Sequence, residues 1–121
     1  MPDHAIAQKI AQILDSKKGG NIIALNVSEL TVVCDYMVIA SGRSTPHVKA
    51  LYDAVDEELT EKMNITPRRV EGVNEGRWIV MDYGSIIVHI FHQEEREFYN
   101  LERLWDDGSN RITLTFETEA K

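Results

Sequence analysis

At 121 residues, 43% of them hydrophobic and 27% charged, the chain has the length and composition of one domain with its own core. No run approaches the roughly 18 apolar residues of a membrane helix, and the N-terminus carries neither a secretory nor a transit pattern, so a cytoplasmic protein without membrane contact is expected. A formal net charge of -7 disfavours nucleic-acid phosphate and suits a basic protein partner, while Cys34, the single cysteine, excludes an internal disulfide.

The first segment places Ile6, Ile10, Ile13 and Leu14 at helical spacing, with Ala7 and Ala11 beside them, and predicts an amphipathic helix over 3–18, stopped by Gly19 and Gly20. "NIIALNV" and "VVCDYMVIAS" predict two strands, the second apolar through most of its length and buried on both faces. Thr45 is placed to cap a helix opening at Pro46, with Val48, Leu51, Tyr52, Val55, Leu59 and Met63 as its buried stripe. "TPRRVEG" gives a short third strand, and residues 76–91, "GRWIVMDYGSIIVHIF", give a hairpin turning at Tyr83 and Gly84. A helix over about 94–105 follows, on which Phe98, Leu101, Glu102 and Trp105 share one surface. Ile112, Leu114 and Phe116 then alternate with polar residues, as in an edge strand or a loose tail. The order αββαβββ followed by α implies a single α/β domain with a mixed five-stranded sheet flanked by helices, and a right-handed parallel crossover between Val33 and Glu71.

Few residues offer chemistry. A metal site would draw on His4, His47, His89, His92 or Cys34, but His89 and His92 are three apart on a strand and face opposite sides of it; no metal or cofactor is expected. Ser41 or Ser44 with His89 and Asp82 is a set that most chains of this size contain, and no Gly-x-Ser-x-Gly elbow presents a serine. "SGRSTPH" places Gly42 between a strand and a helix start, where backbone N–H groups can receive an anion, so a nucleotide-binding transferase using the Gly42 loop is the alternative function. That loop has no Lys-Ser or Lys-Thr ending, and the nearby acidic pairs, such as Asp53 with Asp56, lie on the helix rather than on a strand. His89 reads as a core histidine donating a ring N–H to a carboxylate or backbone oxygen, and Asp82 as a residue able to satisfy turn N–H groups. Trp78 and Trp105 end their elements beside charged residues, which fits either a core position or an interface anchor.

Four stretches together resemble one family: "CDYMVIASGRS", "VEG", W-x-V-x-D-x-G-x-x-x-V-H over 78–89, and R-x-x-Y-x-L-E-x-L-W over 96–105. In order and spacing they are similar to the ribosomal silencing factor, or Iojap, family across about residues 5–106. The resemblance implies a nucleotidyltransferase-like fold without catalytic carboxylates, no enzymatic turnover and no cofactor. It further implies a translational repressor that binds the fourteenth protein of the large ribosomal subunit and sterically blocks subunit joining when nutrients are scarce. Carried over by position, Glu71, Trp78, Asp82, Tyr99, Leu101, Glu102 and Trp105 become the partner-binding residues, the acids meeting basic groups. Ser85 departs from the family's usual aspartate. Residues 1–106 are expected to form the family domain, and 107–121 a C-terminal extension that could reinforce a homodimer by edge pairing.

Overall fold

The computed structural model describes residues 3–114. Helix α1 (Asp3–Ser16) buries Ile6, Ala7, Ile10, Ala11, Ile13 and Leu14, the face its spacing predicts. Lys18 then takes a left-handed conformation and the Gly19 N–H donates to the Leu14 carbonyl, turning the chain into strand β1 (Gly20–Asn26). Strand β2 (Tyr36–Gly42) begins later than the apolar run suggests. Between the two strands the N–H groups of Leu30 and Thr31 both donate to the Val27 carbonyl, and that of Val33 to Thr31 Oγ1. This tight turn uses backbone groups that a strand would need and leaves Val32 and Val33 in solvent.

Helix α2 (Thr45–Glu57) is capped by Ser44 rather than Thr45: Ser44 has extended backbone and its hydroxyl accepts the His47 N–H. Thr45 is already helical, and Pro46 occupies the first turn as expected. Val48, Leu51, Val55 and Leu59 are fully buried, with Tyr52 and Met63 at the margin of the stripe. A π-helical turn over Glu58–Lys62 ends this segment. Strands β3 (Arg69–Glu71), β4 (Trp78–Asp82) and β5 (Ile86–His92) follow, the last two forming the expected hairpin.

The predicted last helix is broken in two, α3 (Gln93–Tyr99) and α4 (Glu102–Trp105), because Asn100 adopts φ 48° and ψ 51° and its N–H closes on the Arg96 carbonyl. Asparagine tolerates this left-handed cap better than other non-glycine residues.

The sheet order is β1-β2-β5-β4-β3. β2 pairs parallel with β5, and the other neighbours are antiparallel. The fold is thus the expected α/β domain with a mixed five-stranded sheet, but the strand after α2 lands at the far edge, with β5 and β4 between it and β2. Helices α1 and α2 cover one sheet face and enclose the larger core. Residues 110–114 run beside β1: the Asn26 N–H donates to Asn110, that of Ile112 donates to Ala24, and Ile112 and Leu114 enter the core. Phe116 and the rest of the alternating stretch lie outside the described residues.

Of the glycines with left-handed backbone, two have opposite surroundings. At Gly72, φ is 87° and an added Cβ would lie 2.0 Å from the Trp78 carbonyl oxygen, whereas at Gly108, φ is 89° and nothing lies within 4 Å. Gly72→Ala should therefore destabilise the fold by about 3 kcal/mol or more, combining steric overlap with backbone strain. Gly108→Ala should cost about 1 kcal/mol through strain alone. Urea denaturation of both variants measures the difference.

Candidate functional site

Strand register sorts the side chains into two sets. Trp78 lies opposite Phe91, Val80 opposite His89 and Asp82 opposite Ile87. Across β3, Glu71 faces Val80 and Arg69 faces Asp82; across β2, Ile39 faces His89 and Met37 faces Ile87. Directly paired residues point to the same side of a sheet, so all of these share the face opposite α1 and α2. A second core there joins Ile23, Leu25, Val27, Cys34, Met37, Ile39 and Phe91, with Trp78, Ile87, Leu101 and Trp105 packed against it. The α3–α4 segment covers this face only in part. Glu71 remains exposed, and Trp78, Val80, Asp82 and Ile87 remain partly accessible.

Trp78 is the centre of the accessible part. Its ring stacks on Phe91 with centroids 4.7 Å apart and planes 24° from parallel, and Tyr99 stands 5.0 Å away on α3. The indole N–H donates to His89 Nδ1 at 3.1 Å. His89 is therefore an acceptor at Nδ1, not the donor to an oxygen that its strand position suggests, and its neutral tautomer carries hydrogen on Nε2. Burial lowers the His89 pKa to about 4. Phe98, at 81% exposure, meets Tyr99 edge-on, and Leu104 is 74% exposed. Sequence spacing put Phe98 on one surface with Leu101, Glu102 and Trp105; Asn100 divides the helix between them, and Phe98 is exposed while Leu101 and Trp105 pack against the second core. The available signal was Asn100 itself, a residue type that tolerates the left-handed cap that ends α3.

The remaining candidates fall into supporting and exposed positions. Asp82 Oδ1 accepts the Gly84 N–H at 2.8 Å, closing the hairpin turn, and the Arg68 guanidinium reaches Asp82 Oδ2 at 3.3 Å. Glu71 sits on the open strand β3, paired only loosely with Arg69 at 3.6 Å. Glu102 Oε2 accepts from Arg96 Nε at 3.0 Å, and Arg96 Nη1 donates to the Gly20 carbonyl, tying the α3–α4 segment to β1. Leu101 and Trp105 pack inward, half-buried. The face thus brings Glu71, Trp78, Asp82 and Tyr99 to accessible positions and uses Leu101, Glu102 and Trp105 largely to seat the cover.

Other chemistry finds little support in the geometry. His92, Glu94 and Glu95 bring possible ligand atoms within 4.8 Å, but Arg77 already ion-pairs with both glutamates and His92 Nδ1 accepts the Glu94 N–H. A guanidinium stands where a metal cation would be needed. At the Gly42 loop, the Arg43 N–H donates to His47 Nδ1, the His47 N–H to Ser44 Oγ, and the Val48 N–H to the Ser44 carbonyl. Those donors are spent within the loop rather than turned toward an anion. Ser41 Oγ donates to the Gly20 carbonyl, and Cys34 is buried, with its thiol pKa raised chiefly by desolvation.

The buried imidazole has a pH consequence. Its folded pKa is about 4 against an ordinary 6.5, so the neutral ring's contribution is complete above pH 6.5 and is lost as pH falls from 6.5 to about 4. Wild-type protein should lose about 3 kcal/mol more stability across that interval than His89→Gln, which keeps an acceptor for Trp78 but does not titrate. Paired urea titrations at pH 7 and pH 4 measure it.

Comparison with known proteins agrees with this architecture. The family model described as "Ribosomal silencing factor during starvation" matches residues 2–121. The chain is 36% identical over 108 residues to a ribosomal silencing factor of Bacillus subtilis, covering 89% of this chain and 91% of that one. It is 31% identical over 98 residues to a mouse protein named for mitochondrial assembly of the ribosomal large subunit, covering 79% of this chain and 43% of the mouse protein. A crystal structure of a Chromobacterium violaceum protein is similar with a TM-score of 0.84 and 31% identity, over 95% of this chain and 93% of that chain. With a family match along nearly its whole length and a shared fold, the chain belongs to the ribosomal silencing factor (Iojap) family of ribosome-associated translation regulators.

Proposed function

We propose that the protein is a noncatalytic translational repressor of the cytoplasm. It docks the accessible half of its sheet face on the large ribosomal subunit and blocks the small subunit from joining, above all under nutrient limitation. The partner in this reading is the fourteenth large-subunit protein. The observation that carries it is the cluster at Trp78: an aromatic anchor stacked on Phe91 with Tyr99 tilted beside it, on a face that the chain's own helices cover only in part. Protein interfaces concentrate their binding energy in such partly desolvated aromatics with a polar rim.

Charge supports the same choice of partner. The whole chain carries -7, and on this face Glu71 is exposed and only loosely paired, whereas Asp82 is paired with Arg68; the net charge suits a basic ribosomal protein. Family membership supports the ribosome, and the mouse relative's name supports the large subunit in particular. The proposal also includes a homodimer of the isolated protein, since exposed Phe98 and Tyr99 can bury apolar area against a second copy; sedimentation equilibrium measures it.

Gradient sedimentation with purified large subunits tests the central claim. Wild-type protein should travel with free large subunits and be absent from joined ribosomes. Trp78→Ala should weaken subunit binding by about 30-fold or more, the scale of an interface hot spot, while circular dichroism shows the fold retained. A folded Trp78→Ala variant that binds undiminished removes this face from the interface. Glu71→Lys should slow association by about threefold at low salt, with the difference shrinking at high salt, as stopped-flow mixing with labelled subunits would show.

A further inference from the structure

His89 occupies a position where an apolar side chain would satisfy the core equally well. It is buried on the second-core face, between Ile87 and Phe91 on the same side of β5 and opposite Val80. An imidazole there gives up most of its water and gains, among the described residues, one hydrogen bond, that from the Trp78 indole to Nδ1. Packing alone does not require this choice of residue; the hydrogen bond does.

That bond completes a set of three restraints on one ring. Phe91 stacks beneath the indole, Tyr99 stands beside it, and His89 Nδ1 holds the N–H end. A tryptophan on an open sheet face, held by stacking alone, can exchange rotamers, and a partner then has to order it on binding. With the N–H turned into the sheet, the ring presents its apolar surface in one pose.

We propose that His89 is a positioning residue: by accepting the Trp78 indole N–H, it fixes that ring in the orientation in which the ribosomal partner meets it. This rests on the docking-face reading given above. His89 touches no partner itself and acts through Trp78.

A double-mutant cycle tests it, reading the affinity of the full chain for purified large ribosomal subunits. His89→Phe should weaken binding by about tenfold, the scale of one lost hydrogen bond together with the ordering of a large side chain. His89→Gln, which restores an acceptor, should recover most of the loss. In a Trp78→Phe background, which has no N–H to hold, His89→Phe should change nothing further. An equal effect of His89→Phe in both backgrounds overturns the proposal, since the histidine then acts through general packing. Proton exchange of the Trp78 indole with water, followed by NMR, gives an independent readout: slow in wild type and His89→Gln, fast in His89→Phe. Fast exchange in the wild type overturns the proposal whatever the variants do, including the case in which His89→Phe fails to fold. If Trp78→Ala leaves binding intact, the docking face itself falls; if Trp78→Ala abolishes binding and a folded His89→Phe does not weaken it, only the positioning role falls.

Discussion

The parallel pairing of β2 with β5, unbroken from Tyr36 with Ile86 to Gly42 with His92, is the constraint from which both faces of the molecule follow. These strands are distant in sequence and central in the sheet, and their even and odd positions feed different cores. Ile86, Val88 and Ile90 meet the helices, while Ile87, His89 and Phe91 meet the other side. A slip of one residue would exchange those sets and send His89 among α1 and α2. The cost of moving the polar His89 into the larger core opposes such a slip, and β1 and β4 pair on either side of the central strands.

The second face owes its character to an incomplete cover. Residues 93–105 extend across part of it and are fastened by Arg96, which bonds Glu102 and the Gly20 carbonyl. Arg96 is 6% exposed, and desolvation lowers its pKa while Glu102 opposes that shift. Burying such a pair offsets much of its Coulomb gain, so its larger effect is on geometry: it determines where α3 and α4 sit. The cover stops short of the sheet around Trp78 and Glu71, where Trp78 stays partly accessible and Glu71 exposed.

Much of this architecture is written in the spacing of apolar residues. The stripe of α1, the strands β1 and β5 and the hairpin at Tyr83 and Gly84 can each be read from local pattern, because one periodicity governs each segment. The departures arise where a backbone group has two possible partners. Ser44 and Thr45 are both capping residues, and only the observed backbone of Ser44 decides between them. Val32 and Val33 favour a strand by type, but the turn bonds to Val27 pre-empt it. Asn100 looks helical from the periodicity around it, yet its left-handed cap divides the final helix. Of the candidate site, the face was legible through the family motifs. The bond from Trp78 to His89 was not, since it joins residues diagonal to each other across a hairpin and depends on a tautomer.

The two margins of the sheet are unlike. Along β1, residues 110–114 occupy the outer hydrogen-bonding positions at Ala24 and Asn26. At the other margin, β3 has three residues and two of them, Arg69 and Glu71, are charged. A margin this short and this charged opposes strand addition from a neighbouring chain. The outer positions of β3 therefore work against edge-to-edge stacking, and Trp78 can stand half in water beside an edge that does not invite a second sheet.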